Sequence, residues 1–200
     1  NGGEACTAAN RFLVHRSVAQ TFSERLTQAM SALKVGPGAN PDTDLGPLVD
    51  AGAVNKVEEL VEDARSRGAQ VLCGGERVQG AGYFYPPTVL ENVPLDAEMF
   101  RDEIFGPVAP IYVFDTEEEA IRLANATEYG LISYVYTADV SRGMRVSTAL
   151  EAGMIGINEC AVSTELAPFG GVKESGLGRE GSVLGLDEFL EVKTLHIGGL

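Results

Sequence analysis

The chain lacks most of the features that mark secreted, membrane-spanning and nucleic-acid-binding proteins. It has no tryptophan and only three cysteines, Cys6, Cys73 and Cys160, an odd and sparse set that argues against a disulfide framework and favours a reducing, cytoplasmic setting. Basic residues are scarce as well, 15 against 29 acidic ones, for a net charge of −14. Such a surface argues against nucleic acid or an acidic membrane as a partner, because both require basic patches. The longest apolar stretch is too short to span a membrane.

The apolar content is that of an ordinary globular protein, with a hydrophobic fraction of 44%. The 200 residues are enough for one packed domain, or for one domain with an appendage. The chain opens at Asn1 without an initiating methionine, and a candidate active-site segment follows within a few residues. We therefore expect a fragment of a longer polypeptide.

Helix-like and strand-like patterns alternate along most of the chain. Apolar residues at intervals of three and four, preceded by capping residues, predict helices that begin near Ser17, Asp50, Thr116 and Asp139. Short β-branched and aromatic runs predict strands over 11–15, 71–73, 108–114, 131–137 and 154–158. This alternation predicts an α/β fold with a mostly parallel sheet flanked by helices.

The C-terminal part of the chain has a different pattern. After a glycine-rich segment, Phe189 to Ile197 alternates apolar and charged residues as a half-exposed strand does. A strand of this kind must pair with another part of the protein or with another subunit. Within the glycine-rich segment, Gly176 to Gly181 matches the dinucleotide-binding pattern G-x-G-x-x-G. A loop rather than a buried strand precedes it, so we interpret this run as a tight turn.

Cys6 is the residue with the clearest chemical potential. It follows Gly2-Gly3-Glu4-Ala5, where the backbone can bend sharply and leave a side chain clear. If a helix begins at this point, nearby backbone N–H groups stabilise the thiolate and make the sulfur a better nucleophile. The ordinary alternative is an inert, buried cysteine. Spacing alone leaves both interpretations open.

Three segments resemble the signatures of the aldehyde dehydrogenase superfamily. They are Asn1 to Phe12, Glu103 to Val108 and Pro168 to Gly176, and they occur in that family's order and at its spacing. The resemblance extends over the whole chain and implies the C-terminal, catalytic half of such an enzyme. Residues 1–170 would form the catalytic thiol domain, and residues 171–200 a glycine-rich return segment, a short helix and a C-terminal oligomerisation strand. The N-terminal nucleotide-binding domain would lie upstream of this chain.

The resemblance also implies residue roles in a reaction that uses NAD or NADP. Cys6 would be the catalytic nucleophile, which attacks the aldehyde carbon to give a thiohemiacetal and, after hydride transfer, a thioester. Glu103 would hold the nicotinamide ribose hydroxyls, Phe105 would pack near the nicotinamide ring, and Lys56 would reach the cofactor's ribose. Apart from the resemblance, Glu103 and Lys56 would be solvated charges and Phe105 a core aromatic. The sequence predicts no metal site.

The loop between Asn158 and Phe169 bears on the substrate, because it has small and hydroxyl-bearing residues where enzymes for fatty or aromatic aldehydes need large apolar ones. Ser163 matches the position that hydrogen-bonds the far carboxylate in succinate-semialdehyde dehydrogenases. Phe169 matches an aromatic near the aldehyde pocket, with core packing as its alternative. We therefore expect succinate semialdehyde to be oxidised to succinate. The alternatives are another small ω-carboxy aldehyde such as glutarate semialdehyde, or a non-catalytic folding or oligomerisation fragment whose cysteine is buried and inert. Apart from the resemblance, the loop itself would be a flexible polar loop.

The sequence departs from the family's pattern at two positions near the thiol. Glu4 stands where the family usually has glutamine, and its charge would oppose ionisation of the thiol if it is near and unpaired. Ala8 stands where some succinate-semialdehyde dehydrogenases have a second cysteine, so we predict no redox-switch disulfide between positions 6 and 8. The other candidate for a disulfide with Cys6 is Cys160. The water-activating glutamate and the side-chain oxyanion donor are expected upstream, so the chain alone is predicted to be inactive. The full-length enzyme is expected to be a homodimer or homotetramer.

Overall fold

The computed structural model of the protein describes residues 1–199 and contains two compact units, which divide between Ala124 and Asn125. The boundary predicted at residue 170 separates functional segments rather than compact units, and it stays a prediction. None of the described helices is both long and apolar enough to cross a membrane.

The first unit is built on one four-stranded sheet. Its strands are β1 (Phe12–His15), β2 (Gln70–Cys73), β3 (Thr88–Glu91) and β4 (Val108–Phe114), in the spatial order β1-β4-β3-β2. β4 pairs in parallel with β1 and β3, whereas β2 pairs antiparallel with β3. The predicted α/β fold is confirmed; two of the three strand pairs are parallel, and the antiparallel β2–β3 pair makes the sheet mixed. The reason is that a loop, with no helix in it, joins β2 to β3.

Two helices cover the two faces of this sheet. Along α1 (Arg16–Ser31), the side chains that pack on one face are Phe22, Leu26 and Met30. Along α2 (Ala51–Ser66), the buried side chains are Val54, Val57, Leu60, Val61 and Ala64. Alternate residues of β4 point to opposite faces, so Val108 and Tyr112 join the core beside α2 while Ala109 and Ile111 join the core beside α1. Burial on both faces explains why β4 is an unbroken apolar run.

Side-chain caps determine where the helices begin. Asp50 caps α2 as predicted, with its Oδ1 accepting a hydrogen bond from the Ala53 N–H at 2.8 Å. Before α3 (Glu117–Asn125), the predicted capping residue Thr116 accepts from the Glu119 N–H at 3.2 Å. The predicted Ser17 cap of α1 is wrong. The helix begins one residue before Ser17, and the capping residue is His15, whose Nδ1 accepts a hydrogen bond from the Ser17 N–H at 3.2 Å.

The second unit contains two separate two-stranded sheets. Its elements are β5 (Tyr129–Gly130), β6 (Ile132–Val135), α4 (Val140–Ala149), β7 (Met154–Ile157), β8 (Val172–Lys173) and a 3₁₀ helix at Leu184–Phe189. β6 and β7 are parallel and α4 connects them, whereas β5 and β8 are antiparallel. The strand predicted over Phe189 to Ile197 is not formed in the single chain, where residues 190–199 have no regular structure. Its pairing with another subunit stays a prediction.

Asp63 ties α2 to a short 3₁₀ helix, Glu98–Phe100, that leads towards the loop before β4. Its carboxylate accepts hydrogen bonds from the Glu98 N–H at 2.8 Å and from Arg67 Nε at 2.6 Å. Partial burial acts to raise the pKa of Asp63, but the hydrogen bonds from Glu98 and Arg67 together outweigh it and hold the pKa below its ordinary value.

We expect Asp63→Ala to lower the free energy of unfolding of the full-length protein by about 1–2 kcal/mol at neutral pH. Because the folded-state pKa is lowered, this stabilisation is present above the unfolded pKa of about 3.9 and is lost as pH falls through the folded value. The gap in melting temperature between wild type and variant should therefore close in acid. Glu62→Ala is the control, since that carboxylate is 64% exposed and surface ion pairs contribute little. A gap that stays constant down to acid pH would contradict this role of Asp63.

Candidate active site

Cys6 lies in a tight turn that precedes β1. Gly2 and Gly3 adopt left-handed backbone conformations, with φ of 62° and 73°, and the Ala8 N–H donates to the Ala5 carbonyl at 2.9 Å. The helix start considered for this cysteine is therefore wrong, because turns and bends occupy the segment and the first helix is α1. The thiol is exposed, which contradicts the alternative of a buried, inert cysteine.

The turn around Cys6 packs directly on the loop that leads into β4. A Cβ placed on Gly3 would lie 2.1 Å from the carbonyl oxygen of Gly106, closer than real Cβ atoms come to any atom. Gly106 in turn packs on α2, because a Cβ there would lie 2.5 Å from Cγ2 of Val57. Because both positions are glycine, the turn around Cys6, the loop before β4 and α2 can pack in direct contact.

Asn10 joins the same two segments through its side chain. Its Oδ1 accepts a hydrogen bond from the Ile104 N–H at 2.8 Å, and its Nδ2 donates to the Asp102 carbonyl at 3.1 Å. A longer contact, 3.5 Å, runs from Nδ2 to the Met99 carbonyl. A peptide N–H can only donate and a carbonyl can only accept, so these partners fix the orientation of the amide.

Glu103 and Phe105 lie on this loop and are both exposed. The Glu103 carboxylate makes no hydrogen bond or ion pair with any residue in the described part of the chain. Phe105 has a φ of 53°, which is uncommon for a bulky residue, and its side chain is 38% exposed. A shallow cleft is lined by Gly3, Ala5, Ala8, Ala9, Asn10, Glu103, Ile104, Phe105, Gly106 and Val108. The structure therefore brings the segment of Cys6 together with two of the predicted cofactor residues.

Two more charged residues lie on or near α2. Lys56 is exposed on this helix, has no acidic partner among residues 1–199, and does not line the cleft. Glu4 reaches from the Cys6 turn towards the start of α2, where its Oε1 accepts a hydrogen bond from the Val49 N–H at 3.1 Å. The Glu4 carboxylate therefore has a backbone hydrogen-bond donor at the start of α2. No three His, Cys, Asp or Glu side chains of residues 1–199 cluster in a way suited to a metal ion.

In the second unit, Ser163 lies exposed in the loop between Asn158 and Phe169. Asn158 fixes the start of the loop, because its side chain donates to the Thr137 carbonyl at 2.8 Å and accepts from the Thr137 N–H at 2.9 Å. Phe169 fixes the end, because its N–H and carbonyl bond the carbonyl and N–H of Glu180 at 2.8 and 2.7 Å. The Ser163 hydroxyl makes no hydrogen bond within the described residues and can therefore donate to a ligand.

Comparison with known protein families gives a match over almost the whole chain. The aldehyde dehydrogenase family model matches residues 1–195. The chain belongs to the aldehyde dehydrogenase family. It is 50% identical to the mitochondrial succinate-semialdehyde dehydrogenase of Oryza sativa subsp. japonica over 200 residues, which are 100% of this chain and 38% of that protein.

Two bacterial relatives match this aldehyde dehydrogenase chain to a similar degree. The succinate-semialdehyde dehydrogenase [NADP(+)] GabD of Escherichia coli K12 is 48% identical over 198 residues, 99% of this chain and 41% of the relative. A glutarate-semialdehyde dehydrogenase of Pseudomonas putida is 49% identical over 197 residues, 98% of this chain and 41% of the relative. The chain therefore spans 38% to 41% of the length of these curated relatives.

Solved aldehyde dehydrogenases have the same fold. The succinate-semialdehyde dehydrogenase of Burkholderia pseudomallei superimposes with a TM-score of 0.92 at 48% identity, covering 94% of this chain and 39% of that one. The NAD+ complex of an aldehyde dehydrogenase from Bacillus cereus gives a TM-score of 0.92 at 39% identity, covering 96% and 39% of the two chains. The predicted family and fold are confirmed.

Membership of the aldehyde dehydrogenase family does not by itself test the role of each site residue in this chain. The roles of the following residues stay predictions: Cys6, Glu103, Phe105, Lys56, Ser163 and Phe169. Sequence reasoning placed Gly3 in the bend before Cys6 and gave Asn10 no role of its own, and it identified neither residue's contact with the loop before β4. Both residues contact residues about a hundred positions further along the chain, and a local sequence pattern does not predict such long-range contacts.

Proposed function

We propose that this chain supplies the nucleophile and part of the cofactor site of an NAD- or NADP-dependent aldehyde dehydrogenase that oxidises succinate semialdehyde to succinate. The observation that carries the proposal is the exposed Cys6 thiol, on a turn whose backbone packs against the loop of Glu103 and Phe105. Membership of the family supports it further. The activity belongs to the full-length protein, in which the upstream part supplies the remaining catalytic groups.

In the proposed reaction the Cys6 sulfur forms a bond to the aldehyde carbon, and the carbonyl π electrons move to oxygen. The resulting oxyanion accepts a hydrogen bond from the backbone N–H of Cys6, which has no other partner within residues 1–199. A nicotinamide nucleotide held by Glu103, Phe105 and Lys56 would supply the acceptor for the hydride of this carbon, and loss of that hydride would leave a thioester on Cys6. Water attacks the thioester carbon and releases the acid and the thiol.

The residues at the cleft suit a nicotinamide nucleotide. The Glu103 carboxylate is exposed and unpaired within the described residues, so it can accept hydrogen bonds from ribose hydroxyls. The exposed ring of Phe105 offers an apolar surface to the nicotinamide. Lys56, exposed on α2, gives a cation for the polar part of the cofactor. These three side chains bind and orient the cofactor, while Cys6 reacts.

The Ser163 hydroxyl is proposed to bind the far carboxylate of the substrate. We expect Ser163→Ala in the full-length enzyme to raise the KM for succinate semialdehyde by about 10- to 100-fold, since hydrogen bonds to charged groups contribute about 1.5–3 kcal/mol. Butanal, which is similar in size but has no carboxylate, is the control substrate, and its kinetics should change less than about twofold. Equal losses for both aldehydes would contradict carboxylate recognition by Ser163.

Glutarate semialdehyde is the second candidate substrate, because a relative at 49% identity is named for it. It has one more methylene than succinate semialdehyde. One methylene changes kcat/KM between two substrates by about 10- to 200-fold. Comparing kcat/KM for the two semialdehydes in the full-length enzyme decides between them. A higher value for the five-carbon substrate would replace the first proposal with the second. The cytoplasmic setting and the homo-oligomeric assembly stay predictions.

A further inference from the structure

The Asn10 side chain holds the two peptides on either side of Glu103. The Asp102 carbonyl accepts from Nδ2 at 3.1 Å, and the Ile104 N–H donates to Oδ1 at 2.8 Å. A single amide therefore bonds the backbone immediately before and immediately after the carboxylate proposed to hold the cofactor. This two-point contact fixes the direction in which the Cα–Cβ bond of Glu103 points.

Beyond the two peptides that Asn10 holds, the loop is fixed at its ends, because the Asp102 N–H donates to the Glu98 carbonyl at 2.9 Å and Gly106 packs on Gly3. Residues 101–107 form no helix or strand. Within the described residues, the Asp102 carbonyl and the Ile104 N–H have no backbone hydrogen-bond partner, so Asn10 satisfies both groups. Glu103 itself is exposed and unpaired, so it does not anchor its own backbone. Ile104 is buried, so its side chain anchors the loop just after Glu103.

Asn10 is also close in sequence to the nucleophile. Three residues separate it from Cys6, and both the turn and Asn10 contribute to the lining of the same cleft. The following residue, Arg11, is fixed by donating to the Leu123 and Ala124 carbonyls at 2.9 and 3.0 Å. The backbone at Asn10 is thus anchored, and its amide transmits that position to Glu103.

We propose that Asn10 is a positioning residue that orients Glu103 for the cofactor ribose and sets the spacing between Glu103 and the Cys6 turn. The inference rests on the proposed function, because it needs Glu103 to bind the cofactor. The contacts of the Asn10 amide all go to backbone groups of the Glu103 loop and the 3₁₀ helix before it, so Asn10 acts through Glu103. Its loss should therefore weaken cofactor binding, and it should do so only while Glu103 is present.

The test measures NADH and NADPH dissociation constants by fluorescence titration of the full-length enzyme, together with melting temperature and kcat. Asn10→Ala removes all three contacts, whereas Asn10→Asp keeps the acceptor for Ile104 and loses the donor to Asp102. The matched control is Asn125→Ala, since the Asn125 side chain likewise bridges two backbone groups, the Ala149 carbonyl and the Glu151 N–H, both at 2.9 Å. It lies in the second unit and has no proposed role in the site.

We expect Asn10→Ala to raise the dissociation constant of the preferred cofactor about tenfold, and Asn10→Asp to raise it by less, since loss of about one hydrogen bond corresponds to roughly tenfold. Asn125→Ala should lower the melting temperature to a similar extent and leave the dissociation constant within about twofold of wild type. In a double-mutant cycle, adding Asn10→Ala to Glu103→Ala should cause little further loss, because the two residues act in series.

The outcomes separate failure of the inference from failure of the proposed function. If Glu103→Ala leaves cofactor affinity unchanged, the cofactor role of Glu103 is wrong and the inference goes with it. If Glu103→Ala weakens binding while both Asn10 variants bind normally, or if the two losses simply add, only the positioning role of Asn10 is overturned. Should Asn10→Ala fail to fold, Asn10→Asp alone decides: a dissociation constant equal to that of wild type would refute the inference.

Discussion

We expect Cys6→Ala in the full-length enzyme to abolish aldehyde oxidation, with kcat lower by on the order of 10⁴-fold or more. In the proposed reaction the Cys6 sulfur forms the bond to the substrate carbon, and alanine cannot replace it. Cofactor affinity and melting temperature should stay near wild type, because the side chain is exposed. The measurement is steady-state NAD(P)H formation with succinate semialdehyde.

The other two cysteines provide controls for this prediction. Cys160 is exposed like Cys6, whereas Cys73 is half-buried in β2. Cys160→Ala and Cys73→Ala should retain activity within about threefold of wild type, and iodoacetamide should modify Cys6 faster than Cys160 at neutral pH. A Cys6→Ala enzyme that keeps more than about a hundredth of the wild-type rate would show that the nucleophile lies elsewhere.

We expect Gly3→Ala to reduce kcat/KM by about 100-fold or more and to lower the melting temperature. Its Cβ would lie 2.1 Å from the Gly106 carbonyl oxygen and 2.7 Å from the carbonyl carbon, so a backbone rather than a flexible side chain stands in the way. The φ of 73° adds strain for any residue with a Cβ. The turn must move away from the Glu103 loop, and a displacement of about 1 Å is enough to cost about 100-fold in rate.

Gly38→Ala is the matched control, because a Cβ at that loop position meets nothing within 4 Å and its φ lies outside the left-handed region. It should leave kcat/KM and melting temperature close to wild type, or slightly raise the latter. Normal kinetics for Gly3→Ala would mean that the close approach of the two segments has no bearing on catalysis.

Local patterns predicted the helices well and the contacts between distant segments poorly. The five buried positions of α2 and its Asp50 cap followed from periodicity and capping chemistry, both of which act within a few residues. The direction of the β2–β3 pairing did not follow, because alternation within a strand is the same for parallel and antiparallel partners. The alternation over Phe189 to Ile197 predicts a strand, yet a strand becomes regular only with a partner beside it.

The candidate site shows the same division. The signature residues Cys6, Glu103 and Phe105 were identified from resemblance, and the structure brings their two segments to one cleft. The helix considered at Cys6 was wrong, because the two glycines before it take left-handed conformations that close a turn instead. The contacts of Asn10 could not be predicted from the sequence, because its partners are 92 and 94 residues away and its side chain bonds only backbone groups.

The left-handed backbone at Phe105 limits which residues natural variation can place there. β-Branched side chains fit this conformation worst, and glycine fits it best but carries no ring. A substitution at this position therefore either strains the main chain or removes the aromatic surface, so few neutral replacements exist. We infer that position 105 tolerates less change than an exposed loop residue ordinarily would, and that any drift there requires a compensating rearrangement of the neighbouring peptide units.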